Sequence, residues 1–133
     1  MTKGGSLIFN LLPRNKHDFE KVNDLKKLPK EDIVQLIPEL LGWLQDINWP
    51  IAINISQILL TIPEETIPHI SLVLSGDDDI WKEWCLRYFV MELPDELILS
   101  LQEEIKRIAY TPTKGEELEE VHITALEILK DLK

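Results

Sequence analysis

The chain has little of what most chemistry needs. A single cysteine, Cys85, stands among 133 residues, which excludes an internal disulfide and a thiolate-based zinc site. The five glycines make no phosphate-cradling loop, and no serine sits in a nucleophile elbow. No apolar run approaches the roughly 18 to 20 residues that a membrane span requires. The amino-terminal MTKGGSLIFNLLPRNKHD, whose short apolar clusters are broken by Asn10 and Pro13, makes a poor signal peptide, so a cytoplasmic location is expected. Positive charge is also scarce. With 14 basic against 24 acidic residues the formal net charge is −10, which repels phosphate backbones and anionic lipid headgroups. Nucleic acid and membrane are thereby disfavoured, and a basic protein or peptide is the expected partner.

Strand signals are also missing, since no segment sustains period-two alternation. What is present is helical periodicity. The spacing of apolar residues predicts helices over 17–28, 30–45, 50–62, 64–75, 80–93, 95–109 and 116–132. Asp18, Asp79 and Asp95 stand near the starts of such segments, where a carboxylate can accept orphan amide hydrogens, and Pro29, Pro63 and Pro94 occupy first-turn positions.

The pattern repeats. The segment from Ile37-Pro38 to Ile62-Pro63 recurs from Ile67-Pro68 to Leu93-Pro94, an offset of about thirty residues. Ile37, Leu40 and Leu44 match Ile67, Ile70 and Leu74, then Ile98, Leu101 and Ile105. Spacings of three and four place each trio on one helix face. In the second helices, Ile55, Ile58, Leu59 and Ile62 match Leu86, Phe89, Val90 and Leu93, then Ala125, Ile128, Leu129 and Leu132. One helix pair cannot hide its apolar face alone, so the copies are expected to stack.

A hairpin of this length, with Pro38 or Pro68 inside its first helix and an acidic turn into the second, is similar to HEAT or armadillo-type repeats. More closely, LLPRNKHDFEKVNDLKKLP, ELLGWLQDINWP, IPHI and DDDIWK, in that order, resemble the bacterial domain of unknown function family 5071, a resemblance that carries no activity with it. The fold expected is all-α: a short right-handed superhelix of about three HEAT-like hairpins forming one domain over 1–133, with 1–6 flexible, 7–29 an amino-terminal capping helix, and 30–62, 63–93 and 94–132 the repeats.

Two surfaces are candidates for function. The stretches LQDINWP and LSGDDDIWK run through the hairpin turns, and Asp46, Asn48, Trp49, Asp77, Asp78 and Asp79 form the edge where those turns gather. Asx residues there end one helix and cap the next, with Trp49 as a hydrophobic staple. The aspartates lack the ligand spacing of a calcium loop, so neither metal nor cofactor is expected. The second surface is a column of the second helices. Asn54, Gln57 and Thr61 match Thr124, Glu127 and Asp131, while the middle copy has Cys85, Tyr88 and Glu92 there, with Trp81 a turn earlier. On a concave face, Trp81 and Tyr88 ringed by Asn54, Gln57, Glu92 and Glu127 would form an aromatic anchor in a polar rim. The same rings suit ordinary core if loops or LIFNLL cover them. Trp84, aligned with Ile53 and Ile123, reads as core.

No catalytic constellation emerges. His17-Asp18, His69 and His122 lack ligand partners, Cys85 lacks a base nearby, and Glu116, Glu117, Glu119 and Glu120 read as dipole partners at a helix start. The expectation is a non-catalytic binding scaffold, in a sharper version an inhibitor or immunity-type protein for a basic partner such as a nuclease. A small-ligand receptor or enzyme at the turn edge and an oligomerising structural subunit are the rival readings.

Overall fold

The computed structural model describes residues 9–132. The expected flexible segment 1–6, and Leu7 and Ile8 of the capping segment, lie outside the described residues. Among those residues the fold is all-α, with no strand. It comprises two compact units, one ending at Thr66 and the other beginning at Ile67, and the division falls within a single helix.

In the amino-terminal unit, α1 (Phe19–Leu25) is followed by α2 (Lys30–Val34), α3 (Ile37–Leu41), a 3₁₀ turn (Gly42–Gln45) and α4 (Ala52–Leu60). Asp18 caps α1: its carboxylate accepts from the Lys21 amide at 3.3 Å and the Arg14 amide at 2.9 Å, while the Arg14 guanidinium grips it at 2.8 and 3.1 Å. That guanidinium holds the Asp18 carboxyl well below the usual carboxylate range, and leaves no free acid for a His17-Asp18 dyad. The core gathers Leu25, Leu36, Ile37, Leu40, Leu44, Ile51, Ile55 and Leu59, all sealed from solvent, with α4 packed on α1, α3 and the 3₁₀ turn.

The helix expected over 30–45 is broken. Pro38 has no N–H to give the Val34 carbonyl and its ring crowds that carbonyl, so the chain tightens: the Leu36 amide bonds Ile33 at 2.9 Å, Leu36 adopts φ −102°, and α3 starts afresh. As the second residue of α3, Pro38 loses only an amide hydrogen that would have been an orphan.

The helix α5 (Pro63–Leu74) contains Pro68 without interruption. In the carboxy-terminal unit follow α6 (Asp79–Tyr88), a 3₁₀ turn (Val90–Glu92), α7 (Asp95–Leu99), α8 (Gln102–Tyr110), α9 (Lys114–Leu118) and α10 (Val121–Lys130). Here too the expected long helices divide. The segment 95–109 breaks at Ser100 and Leu101, where the Ser100 hydroxyl takes the Leu97 carbonyl at 2.6 Å, a competition that side-chain oxygens of this kind offer to helical bonding. The segment 116–132 starts earlier, at a capping box between Thr113 and Glu116, and is interrupted by Glu120 in the left-handed conformation, φ 60° and ψ 26°. The α10 helix packs on α8 and α6 over Cys85, Leu86, Phe89, Ile105, Ile108, Val121 and Ala125.

Most apolar positions of the repeat columns are buried, Ile37, Leu40, Leu44, Ile70, Leu74, Ile98, Leu101 and Ile105 among them, whereas Ile67, Leu129 and Leu132 are half-buried. The neighbouring columns exchange roles. Cys85 and Thr124, read as polar-face positions, are buried, because Cys85 stands four residues before Phe89 and shares its side of α6. Ile53 and Ile123, aligned with Trp84 and read as core, are 44% and 46% exposed.

Candidate functional site

The first turn of α6 is assembled from a run of three aspartates. Asp78, rather than Asp79, is the cap, its carboxylate accepting the Trp81 amide at 3.1 Å. Asp79 instead accepts from Lys82 Nζ at 2.9 Å. Lys82 lies three and four residues before Cys85 and Leu86, in phase with the buried side of the helix, and its side chain is sealed from solvent. An ammonium cannot be left unpaired there. Its second partner is Glu116, whose carboxylate receives Lys82 Nζ at 2.8 Å, Arg107 at 3.0 and 2.5 Å, and the Thr113 amide at 2.8 Å. Burial alone would raise the Glu116 carboxyl; the donors from Arg107, Lys82 and Thr113 overcome it and bring it down to about 2. Burial likewise works against the Lys82 charge, and its two carboxylate partners raise it all the same.

Glu116, read from the sequence as a dipole partner at a helix start, is the buried centre of an ion network that ties α6, α8 and α9 together. The sequence carries two signals for it: Thr-x-x-Glu over 113–116, the pattern of a capping box, and a lysine in phase with core residues. Gly115 completes the joint. It lies against the Asp79 carboxylate so closely that a β-carbon would collide with it.

Around the other side of α6, Trp81, Trp84 and Tyr88 follow at i, i+3 and i+7 and are each half-buried. The rings of Trp84 and Tyr88 are 5.9 Å apart and tilted by 59°. Trp84, read from its column as core, is half-buried and packs its ring on Tyr88. Beside it, Arg87 donates to Glu83 at 3.0 Å and to the Thr124 hydroxyl at 2.9 Å, Thr124 donates on to Glu83 at 2.9 Å, and Glu127 stands 3.6 Å from Arg87. Glu92 is exposed in the following 3₁₀ turn.

In the amino-terminal unit, Asn54 is half-buried and Gln57 exposed on α4. Asp46 accepts the Asn48 amide at 2.9 Å in an Asx turn, with Asn48 exposed. Trp49 meets Trp43 of the preceding 3₁₀ turn edge to face, centroids 5.4 Å apart at 75°. Cys85 is buried, and burial together with the charge of Asp78 pushes its thiol up, the reverse of activation. Among the described residues, no group of three or more His, Cys, Asp or Glu is arranged to hold a metal ion, and no helix is long and apolar enough to cross a membrane.

Comparison with curated proteins yields no match. A family model does match, over residues 11–129, taking in both units from ahead of the Asp18 cap to the last turn of α10; the chain belongs to the family described as domain of unknown function (DUF5071).

Proposed function

We propose that the chain is a non-catalytic binding module of HEAT-like helix hairpins that holds a basic protein or peptide through the aromatic face of α6. The observation that carries this reading is the row of Trp81, Trp84 and Tyr88 at helical spacing along one face of α6, half-buried, with the Trp84 and Tyr88 rings 5.9 Å apart. Large rings held by packing supply contact area at low entropic cost, and the acidic balance of the chain favours a partner of positive charge. The repeat in the sequence supports the HEAT-like reading, and a chain with one cysteine suits the reducing cytoplasm. In the finer form the partner is an enzyme whose polyanion-binding site the acidic chain covers, as an inhibitor or immunity protein would. The net charge of −10 favours fast, salt-sensitive association with such a partner.

Affinity capture with wild type and with Trp81→Ala/Tyr88→Ala tests the reading. The expected result is a basic protein retained by wild type, lost with the double variant at unchanged helicity, and released as salt rises. Equal capture by both proteins, or binding indifferent to salt, overturns it.

A further inference from the structure

Away from the aromatic face, the carboxy-terminal unit carries a surface groove built from unlike parts. Asp77, Asp78 and Asp79 line it from the start of α6 and the turn before it, Ile80 from the first turn, and Gly115, Leu118 and Glu119 from α9 and the residue after it. Leu118 is 77% and Ile80 46% exposed, so two large apolar side chains stand in water among carboxylates. Asp77 and Glu119 pair with no cation among the described residues. The cations behind the groove, Lys82 and Arg107, are committed to Asp79 and Glu116. The groove is also preformed: Glu116 fastens α9 to Lys82 and Arg107, and Gly115 rests on Asp79. Little ordering cost would remain for a partner to meet.

We infer that this groove docks a segment of another protein in which a lysine or arginine adjoins a leucine-like side chain. The apolar side chain covers Leu118 and Ile80, and the cation sits among Asp77, Asp78 and Glu119. Charge complementarity singles out this occupant: an acidic or phosphorylated segment is repelled, a purely basic one leaves Leu118 wet, and a purely apolar one leaves carboxylates to desolvate without return. The site shares no residue with the aromatic ladder and stands whether or not that reading does.

Titration of the isotopically labelled full chain with a short peptide alternating lysine and leucine, with its lysine–serine counterpart, and with calcium chloride tests the docking site. The lysine–leucine peptide should shift the amides of Ile80, Gly115, Leu118 and Glu119 and bind about tenfold more tightly than the lysine–serine peptide. Leu118→Ser and Asp77→Asn, both at exposed positions that leave the melting temperature in place, should each weaken it several-fold, whereas Tyr88→Ala should not. Equal affinity for the two peptides would mean general charge attraction and overturn the proposal. So would shifts centred elsewhere, no binding at all, or calcium moving these amides where the peptide does not.

Discussion

Lys82 Nζ and Glu116 Oε2 lie 2.8 Å apart with both side chains closed to solvent, which makes their ion pair the joint between α6 and α9. Breaking such a pair strands the surviving charge, at about 3–5 kcal/mol. Glu116→Gln should therefore lower the stability of the chain by about that amount, read as a fall in the urea midpoint at unchanged slope.

The same carboxylate sets an acid limit. The Glu116 pKa falls from 4.5 to about 2 on folding, so its contribution is complete above the unfolded value and is lost as pH drops from about 4.5 towards 2. Linkage puts the loss at about 3 kcal/mol across that window. Unfolding free energies measured from pH 6 to pH 2 should show the decline in wild type and a flatter profile in Glu116→Gln.

Gly115→Ala should destabilise, by about 1–3 kcal/mol, since the new methyl overlaps the Asp79 carboxylate and pushes it off Lys82. In an Asp79→Ala background the same substitution should cost much less, because alanine is intrinsically the better helix residue. The double-mutant cycle measures the coupling directly; additive effects would show that the two residues do not press on each other.

Glu120 works in the opposite sense. It is exposed and held at φ 60°, a conformation that costs an L-residue roughly 1–2 kcal/mol and glycine almost nothing. Glu120→Gly should accordingly raise the melting temperature by a few degrees, about what 1 kcal/mol delivers in a domain of this size. Glu120→Val should lower it.

Helical class and most of the apolar columns could be read from the sequence because they rest on periodicity, and periodicity is local: Ile37, Leu40 and Leu44 need no knowledge of what they touch. The breaks at Leu36, Leu101 and Glu120 escaped it because each turns on one bond or one dihedral inside a pattern that otherwise continues smoothly. The exchange between Cys85 and Trp84 shows the limit of column alignment. Adjacent residues stand about 100° apart on a helix, so a polar or apolar type at one position says little when the neighbouring column is the one in phase with Phe89. Glu116 was hidden by chemistry rather than geometry. A glutamate among other glutamates looks solvated until its cations, distant in the chain, are seen to converge on it.

The buried thiol has a practical sequel. Cys85 is the single cysteine of the chain and is sealed inside the carboxy-terminal unit with its proton held tightly, so an alkylating reagent can reach it only when that unit opens. The amino-terminal unit has no thiol and stays silent in the same experiment. The wild-type thiol is thus a clock for one unit alone: labelling that keeps pace with the loss of total helicity means the two units unfold together, and labelling that runs ahead of it or behind it means they unfold one at a time.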